Sequence, residues 1–308
     1  MEITLLRTRG WDEYELLDSG EGRKLERYGQ YTFIRPEPQA MWKPQLGPDA
    51  WERADAAFQG GSEDEASPTG KGWSFRSGRP LARWPLSYRG IRVWAEPTPF
   101  RHMGLFPEHH LFWDWVTERI EAHDPPLTML NLFAYTGFFS LVAAAAGAHV
   151  THLDASKKSL TWARQNQQLS GLEDRPIRWL EDDALKFVER ELRRGRRYDG
   201  IILDPPKYGR GPNGEVWKIF ESLPTLLRAC AGLLSDRAQF VILTTYAVRI
   251  SPLALHHLLA EALNRPGHYE CGELVVQESP GDRELSTSIF ARWSPHPDKV
   301  TYGAPGLA

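Results

Sequence analysis

From residue 127 onward, short apolar segments alternate with longer segments of helical periodicity. The apolar segment TMLNLF at 128–133 precedes the helical segment GFFSLVAAAAGA at 137–148. Four further apolar segments, HVTHLD, IRWLED, YDGIILD and QFVILTTY, are each followed by a helical one. Repeated β–α units need right-handed crossovers, which build a parallel sheet covered by helices on both faces. The alternation therefore predicts an α/β fold.

The end of this pattern differs from its beginning. Two strand-like segments, CGELVVQE at 271–278 and STSIFARW at 286–293, follow one another with no helix between them. Strands joined by a short turn pair antiparallel, so we expect a hairpin at one edge of the sheet. Counting both segments, the sequence predicts seven strands, parallel except for that antiparallel edge hairpin.

The first 95 residues have a different texture. Short alternating segments such as EYELLD, QYTFIRP and IRVWAE are separated by glycine-containing turns, which predicts a small N-terminal β module over 1–95. Within it, the polar stretch near 55–73 is expected to be a mobile loop. We expect 96–125 to form a connector with one amphipathic helix, 126–294 to form the main domain, and 295–308 to be a loose tail.

Composition narrows the class of protein. The 308 residues carry a formal net charge of -3, so a nucleic-acid site would have to be a local basic patch. Two cysteines, Cys230 and Cys271, lack paired spacing, which disfavours a disulfide framework or a metal site. No apolar run is long enough to cross a membrane, and the start does not resemble a signal peptide. We expect a cytoplasmic protein without metal or membrane partner, and homo-oligomerisation stays open.

In an open α/β sheet, ligands bind beyond the carboxyl ends of the strands. The first strand ends in the turn Phe133-Ala134-Tyr135-Thr136-Gly137. A dinucleotide site would need G-x-G-x-x-G here, and a nucleotide-phosphate site would need a glycine-rich loop with a lysine. The turn has one glycine and bulky neighbours, which suits a ligand with an amino-acid head and no phosphate.

Acidic residues follow the next two strands. The second strand ends in Asp154, Ala155 and Ser156, and Ser156 is a plausible helix N-cap. The third ends in Asp182 and Asp183, followed by Ala184. An acid after the second strand suits ribose hydroxyls, which need acceptors, and one after the third suits an exocyclic adenine amine. Together these strand ends describe a site for an adenosine that bears an amino-acid tail.

The segments NLFAYTGFFS, LDASKKSLTWARQNQQLSGL, LEDDALKF and DGIILDPPKYGRG resemble the successive motifs of class I S-adenosylmethionine-dependent methyltransferases. The nearest group is that of the large-subunit ribosomal RNA methyltransferases that make 5-methylcytosine or 7-methylguanosine, and the resemblance covers about residues 96–294. It implies a Rossmann-like methyltransferase sheet, with 126–294 as the catalytic domain and S-adenosylmethionine as the cofactor.

The resemblance also assigns residues to the cofactor. It implies that Phe133, Tyr135 and Gly137 line the methionine tail, that Asp154 holds the ribose, that Asp183 faces the adenine amine, and that Asp204 lies near the sulfonium. The neighbours Ala134, Thr136, Ala155, Ser156 and Ala184 complete the predicted cofactor site. The choice between Asp182 and Asp183 stays open: Asp183 precedes ALKF, as is usual in such motifs, and solvation is an interpretation for Asp182. Asn166 matches a family position, although a helix-surface amide is the more ordinary interpretation.

The fourth strand ends in LDPPKYG, and this segment is the candidate for the chemistry. Asp204 is followed by Pro205 and Pro206, which stop the strand and fix the backbone. Methyl transfer depends largely on holding the acceptor at attack distance. A fixed carboxylate offers acceptor oxygens to an incoming amine, Lys207 can meet a phosphate, and Tyr208 can stack on a flipped base. Ordinary loop surface is the alternative for Lys207 and Tyr208.

The positions of the cysteines restrict the acceptor atom. Methylation at a pyrimidine C5 needs a thiolate that adds to the ring. In the similar 5-methylcytosine enzymes this thiolate lies on the loop after the fifth strand, which here reads TTYAVRI and has no cysteine. Cys230 lies in a helical segment and Cys271 begins a strand, so both are predicted to be packing residues. A nitrogen or oxygen acceptor fits better.

One stretch of the N-terminal module is rich in arginine and aromatic residues. In WSFRSGRPLARWPLSYRGIRVW, the residues Arg76, Arg79, Arg83 and Arg89 interleave with tryptophan, phenylalanine and tyrosine, and no acid interrupts them. This mixture suits RNA, through phosphate contacts and base stacking. An arginine-rich β surface over a tryptophan core is an equally weighted alternative.

The sequence therefore predicts an S-adenosylmethionine-dependent methyltransferase that acts on a nitrogen of ribosomal or other structured RNA without a cysteine nucleophile. A methyltransferase acting on a protein or a small molecule is one alternative. A non-catalytic nucleic-acid-binding protein on the same scaffold is another, and the intact acids at the strand ends argue against it.

Overall fold

A computed structural model of the chain describes residues 2–8, 10–59, 72–99, 101–246 and 248–297. The strands, in chain order, are β1 (Ile3–Thr8), β2 (Tyr14–Gly20), β3 (Arg23–Tyr28), β4 (Tyr31–Pro36), β5 (Ala56–Phe58), β6 (Trp73–Phe75), β7 (Trp84–Tyr88), β8 (Ile91–Ala95), β9 (Thr128–Leu132), β10 (His149–Asp154), β11 (Ile177–Glu181), β12 (Gly200–Leu203), β13 (Tyr208–Arg210), β14 (Val216–Lys218), β15 (Phe240–Thr245), β16 (His268–Gln277) and β17 (Glu284–Ser294).

The helices are α1 (Pro48–Glu52), α2 (His110–Glu121), α3 (Phe138–Ala145), α4 (Lys157–Leu169), α5 (Ala184–Arg193), α6 (Ile219–Leu233) and α7 (Pro252–Leu263), with a short 3-10 helix at Pro107–His109. The chain divides into two compact units. The larger unit contains 1–6, 110–274 and 287–308, and the smaller unit contains 7–109 and 275–286.

The larger unit is built on an eight-stranded sheet with the order β1-β16-β17-β15-β12-β9-β10-β11. The five strands from β15 to β11 in this order pair parallel to one another. Strand β17 pairs antiparallel with β15, and β16 lies next to β17. This arrangement confirms the predicted α/β fold with a mostly parallel sheet.

The sheet has one strand more than the sequence pattern indicated. Strand β1 lies at its outer edge beside β16, so the final hairpin is not the edge itself. Of the first residues of β1, Ile3 and Leu5 are exposed and Leu6 is buried. This alternation is typical of a half-buried edge strand. The sequence pattern placed β1 with the N-terminal module because it lies far along the chain from the strand it pairs with.

Helices cover both faces of the sheet. On one face, Leu130, Leu132 and Ile201 pack against residues of α5, α6 and α7. On the other face, Met129, Val150 and Ile202 pack against residues of α2 and α3. Alternate residues of β9 therefore enter opposite layers, as the period of a strand requires. Burial on both faces explains why the parallel strands read as nearly continuous apolar runs.

The smaller unit contains a five-stranded sheet with the order β2-β3-β4-β5-β6 and a separate pair, β7-β8. Strands β4 and β5 pair parallel, and the other neighbours in this sheet pair antiparallel. Strands β5 and β6 occupy both ends of the stretch near 55–73 that was predicted to be a loop, and 60–71 lie outside the described residues. Residues 298–308 of the predicted loose tail also lie outside them.

Two features of the described residues concern membranes and metal ions. No helix among them is long and apolar enough to cross a membrane. No group of three or more histidine, cysteine, aspartate or glutamate side chains among them is placed to hold a metal ion.

Candidate functional site

The order of the parallel strands reverses between β9 and β12. From β9 the chain continues to β10 and β11 on one side, and then returns to β12 and β15 on the other. A crevice opens at such a switch point beyond the carboxyl ends of the strands. The predicted site residues Phe133, Asp154, Asp183 and Asp204 directly follow or end β9, β10, β11 and β12. The fold therefore brings all four of these strand ends to one edge.

The turn between β9 and α3 has an unusual backbone. Phe133, Tyr135 and Gly137 all have a positive φ, at 57°, 50° and 88°. Residues other than glycine rarely adopt this backbone conformation. Each of them costs about 1–3 kcal/mol, which the surrounding structure must offset. The Ala134 N–H donates to Leu153 O at 3.1 Å, and the Gly137 N–H donates to Ala134 O at 3.1 Å. The turn is therefore held by main-chain bonds to β10 and within itself.

Gly137 is the N-cap of α3 and fits where a larger residue would not. A Cβ at this position would lie 3.0 Å from the Cβ of Ala163 and 3.4 Å from Cε1 of His152. The positive φ and the close neighbours both favour glycine. The first N–H groups of α3 receive no side-chain cap from Gly137, so this end of the helix is suited to a negatively charged group.

Asp154 ties this turn to the next strand end. Its Oδ2 accepts a hydrogen bond from the Tyr135 N–H at 2.8 Å, and its Oδ1 accepts one from the Ser156 N–H at 2.8 Å. Burial raises the pKa of this carboxyl, and the two N–H donors lower it in part. Since a carboxylate oxygen has two lone pairs, each oxygen keeps one for a further donor. The predicted N-cap is confirmed, because Ser156 Oγ accepts from the Ser159 N–H.

A group of buried polar side chains lies beneath the turn. Asn166 is 0% exposed, and its Nδ2 donates to Thr136 O at 2.9 Å. The surface-amide interpretation of Asn166 was therefore wrong. Ser140 Oγ lies between Asn131 Nδ2 at 3.0 Å and His152 Nδ1 at 2.9 Å, and all three side chains are buried. These bonds connect β9, β10, α3 and α4 directly under residues 133–137.

The third strand end separates the two adjacent acids. Asp182 forms an ion pair with Arg190, and its Oδ1 accepts from the Asp183 N–H, so the interpretation of Asp182 as a merely solvated acid was wrong. Asp183 is the N-cap of α5, where its Oδ1 accepts from the Lys186 N–H at 2.9 Å. Ala184 is the first residue of α5 and is buried. Asp183 is half-buried at the strand end, with its second oxygen outside the cap bond.

Asp204 is fixed by the neighbouring strand. Its Oδ1 accepts a hydrogen bond from Thr244 Oγ1 at 2.6 Å, and Thr244 is buried in β15. Pro205 is buried and Pro206 is half-buried, so the backbone after Asp204 is held by packing as well as by its ring geometry. The contact of Thr244 with Asp204 depends on the parallel register of β12 and β15.

The segment after the two prolines is a hairpin and not a loop. Strands β13 and β14 pair antiparallel, and α6 begins directly after them at Ile219. Trp217 anchors the hairpin, because its indole packs 4.8 Å from the Phe133 ring and its Nε1 donates to Pro206 O at 2.6 Å. Lys207 and Tyr208 are exposed at the start of the hairpin.

Both cysteines lie in the interior. Cys230 in α6 and Cys271 in β16 are buried, and burial raises the pKa of each thiol. A thiol with a raised pKa supplies little thiolate near neutral pH. Neither residue follows a parallel strand at the carboxyl edge.

The arginine-rich stretch belongs to the smaller unit, and its side chains separate by type. Arg76, Arg79, Arg83 and Arg89 are exposed, whereas Trp84 and Tyr88 are buried. Three further aromatic side chains are half-buried: Trp73, Phe75 and Trp94. Arg76 forms an ion pair with Asp55 at 2.9 Å, and Arg83 lies over the ring of Trp94 at 4.5 Å. The arginines therefore lie on the surface, and the buried rings of Trp84 and Tyr88 are not accessible for base stacking.

Comparison with known proteins gives a consistent result. The family model described as S-adenosylmethionine-dependent methyltransferase matches residues 65–258. A SAM-dependent methyltransferase from Agrobacterium tumefaciens, known from a crystal structure, is 47% identical to this chain with a TM-score of 0.89. The match covers 95% of this chain and 93% of that protein.

Two curated relatives carry names that refer to ribosomal RNA. Ribosomal RNA large subunit methyltransferase K of Neisseria meningitidis serogroup B is 26% identical over 191 residues, which are 61% of this chain and 53% of that protein. Ribosomal RNA large subunit methyltransferase I of Aeromonas salmonicida is 36% identical over 105 residues, which are 34% of this chain and 24% of that protein. The chain thus spans about half or less of the length of these relatives.

Proposed function

Because the chain belongs to the S-adenosylmethionine-dependent methyltransferase family, we propose that it methylates a nitrogen of ribosomal or other structured RNA without a cysteine nucleophile. The observation that carries this proposal is the Asp204 carboxylate. Thr244 and two prolines hold it at the strand end next to the turn 133–137. A fixed acceptor oxygen at this place suits an incoming N–H group.

The residues around the turn fit S-adenosylmethionine. Asp154 keeps one lone pair on each carboxylate oxygen, which suits the two hydroxyls of a ribose. Gly137 and the N-terminus of α3, which has no side-chain cap, suit a carboxylate tail approaching the backbone. Asp183 would meet the adenine amine, beside Ala184 at the start of α5, and Phe133, Ala134, Tyr135, Thr136, Ala155 and Ser156 would form the rest of the wall.

When bound, S-adenosylmethionine supplies a methyl group on a positively charged sulfur, and the sulfur keeps the electron pair of the broken C–S bond while the acceptor nitrogen forms the new N–C bond. Asp204 would orient the acceptor by accepting its N–H, and would take that proton or pass it to water. The diproline backbone would keep this carboxylate from rotating away. Orientation of this kind is the main contribution that a protein makes to an in-line displacement.

Nitrogen is favoured over a pyrimidine carbon because the thiols are out of reach. Carbon methylation at C5 needs a thiolate that can add to the ring. Cys230 and Cys271 are buried, and both have a raised pKa. Asp204, Lys207 and Tyr208 stand at the strand end instead, and none of them adds covalently to a pyrimidine.

RNA is favoured as the substrate class by two observations. The names of the curated relatives refer to the large-subunit ribosomal RNA. Arg76, Arg79, Arg83 and Arg89 are exposed on the smaller unit and suit phosphate groups. With such a substrate, the location of the protein would be the cytoplasm.

The test is transfer of a tritiated methyl group from S-adenosylmethionine to total RNA and, separately, to total protein, followed by identification of the modified nucleoside. We expect label in RNA as an N-methylated nucleoside. Label only in protein, or a 5-methylpyrimidine, would contradict the proposal.

The role of Asp204 is tested by Asp204→Ala. Loss of a general base lowers turnover by about 100- to 10,000-fold. We expect the variant to bind S-adenosylmethionine in calorimetry while its methyl transfer falls by that amount. Undiminished transfer would remove Asp204 from the mechanism, and binding of a nicotinamide dinucleotide in place of S-adenosylmethionine would remove the whole assignment.

A further inference from the structure

The hairpin β13–β14 has one buried face and one face in solvent. Its register pairs Tyr208 with Lys218 and Arg210 with Val216. Directly paired residues, and residues two apart on a strand, point to the same side. These four side chains form the surface that we call the hairpin face, and all four are exposed. On the other side, Trp217 is 6% exposed and anchors the hairpin to Pro206.

The hairpin face carries an unusual share of exposed apolar surface. Seven large hydrophobic side chains are exposed among the described residues. Three of them lie in this short segment, Tyr208 and Val216 at 51% and Phe220 at 61%. A fourth, Leu253, lies at the start of α7, just after the loop that follows β15. Clustered apolar groups beside polar ones mark interaction surfaces, whereas scattered ones do not.

The charges beside these groups are positive. The Arg210 side chain is exposed, and its guanidinium forms no hydrogen bond or ion pair within the described part of the chain. The nearby acid Glu215 is bound to Lys186 at 2.6 Å, which lowers the pKa of its carboxyl to about 2. Lys218 pairs with Glu221 at 3.0 Å on the exposed surface, where such a pair is weak and easily exchanged. The hairpin face therefore presents cations beside aromatic rings.

This combination of groups fits nucleic acid in single-stranded form. Bases stack on exposed aromatic rings with little dependence on sequence, and arginine and lysine contact the phosphates between them. A protein partner would also contact aromatic and arginine side chains. Two exposed cations with no unpaired acid beside them, however, suit a chain of phosphates better than they suit a protein surface. The cations make RNA the better occupant.

Resting on the proposed function, we propose that the hairpin face, together with Phe220 at the start of α6, binds a single-stranded RNA segment next to the nucleotide that is methylated. Tyr208 and Phe220 stack on bases, and Arg210 and Lys218 contact phosphates. Tyr208 lies four residues from Asp204 across the rigid diproline. RNA held on this face is therefore held at a nearly fixed spacing from the Asp204 carboxylate.

The experiment measures binding of the full chain to a labelled single-stranded RNA of about 12 nucleotides by fluorescence anisotropy at several salt concentrations. For Arg210→Gln/Lys218→Gln we expect affinity to fall at least about tenfold at low salt, and the slope of log affinity against log salt to fall by about 1.4. The matched control is Arg196→Gln/Arg197→Gln, which removes two exposed arginines before β12 at the opposite edge of the sheet. We expect it to bind as the wild type does.

The aromatic contact is tested separately. Tyr208→Ala is expected to weaken binding by about 5- to 150-fold, whereas Tyr208→Phe keeps the ring and is expected to bind normally. Calorimetry with S-adenosylmethionine checks that each variant is folded. Equal RNA affinity in wild type and hairpin variants, or equal losses in the Arg196/Arg197 control, would overturn the inference.

The two proposals fail in different ways. If the wild type methylates RNA and the hairpin variants bind and methylate it equally well, the hairpin face is not the RNA surface and the proposed function stands. If single-stranded RNA binds through this face but receives no methyl group, the proposed function fails and the surface stands. If methyl groups enter only protein, and the hairpin variants lose that transfer, the face serves a protein partner and the inference is overturned.

Discussion

In the larger unit, neighbouring strands bury Leu130, Ile201 and Val241 against helices. In the smaller unit, neighbouring strands bury a carboxylate and a guanidinium side by side. Glu26 is 0% exposed and accepts from Arg35 Nε at 2.6 Å and Nη2 at 2.7 Å. In the smaller unit, a fully paired carboxylate and guanidinium thus help to hold neighbouring strands together.

A second buried ionic group in the smaller unit follows the same principle. Arg283 donates to Asp18 at 2.6 Å and to Glu278 at 2.8 Å, and both acids are buried. Asp18 also accepts from the Gln45 and Leu46 N–H groups and from Trp51 Nε1. Apolar contacts tolerate small shifts, but buried ion pairs need correct geometry and complete pairing. The smaller unit should therefore be sensitive to loss of a single polar group from either of these ionic groups.

The largest expected effect comes from Glu26→Gln. Removal of one partner from a buried ion pair costs about 3–5 kcal/mol, because the other charge stays buried without compensation. We expect hydrogen exchange, followed by mass spectrometry, to show a loss of protection in β2 to β4 while β9 to β12 keep theirs. The control is Glu15→Gln in the half-exposed pair with Arg27, for which we expect a change under about 1 kcal/mol. Equal effects of the two substitutions would remove the distinction between the units.

The same contrast explains how much of the molecule the sequence predicted. The strand and helix segments of the larger unit were predicted because their apolar periodicity is local, and the strand-end acids follow from it. The ionic groups of the smaller unit were not, since Asp18 and Arg283 are 265 positions apart. Strand β1, the Thr244 contact and the Trp217 anchor were missed for the same reason. Each depends on a partner that no local pattern indicates.

Acid should weaken both units over the same pH range, because each unit buries one histidine. Burial lowers the pKa of His152 to about 3, and lowers that of His102 in the smaller unit to about 3 as well. A histidine whose folded pKa lies below its ordinary 6.5 contributes stability at higher pH, and this contribution is lost as pH falls below 6.5, by about 1.4 kcal/mol per pH unit. For Glu26, burial opposes ionisation, but Arg35 and Lys24 lower the pKa to about 2, so its contribution is lost only between pH 4.5 and 2.

His102→Gln is expected to separate the two units in their response to acid. Without His102, we expect the smaller unit to keep its exchange protection until the pH falls below 4.5. The larger unit should still lose protection from pH 6.5 downward because His152 remains. If both units of the variant lost protection over one common pH range, the assignment of these pKa shifts to separate units would be wrong.

A smaller effect is expected where the larger unit departs from ordinary packing. Gly137→Ala adds a Cβ at a positive φ, 3.0 Å from Ala163, and we expect a loss of about 1–3 kcal/mol. Gly147→Ala is the matched control, because Gly147 also has a positive φ but no atom within 4 Å of the added Cβ. Urea unfolding should show the larger loss for Gly137→Ala, and calorimetry should show weaker S-adenosylmethionine binding for that variant alone. Equal losses of S-adenosylmethionine binding in the two variants would show that the turn 133–137 is not part of the cofactor site.

The smallest effects are expected for the two cysteines, which lie in the apolar interior of the larger unit. A buried free thiol behaves as a small hydrophobic group, so Cys230→Ala and Cys271→Ala should each cost about 1 kcal/mol of stability. Methyl transfer by both variants should equal that of the wild type, because neither thiol takes part in the proposed reaction. If one variant bound S-adenosylmethionine normally but lost transfer, that cysteine would act on the substrate, and nitrogen would no longer be the favoured acceptor. Because a packing defect alone would weaken folding and cofactor binding together, the combination of normal binding and lost transfer is the result that decides between packing and catalysis.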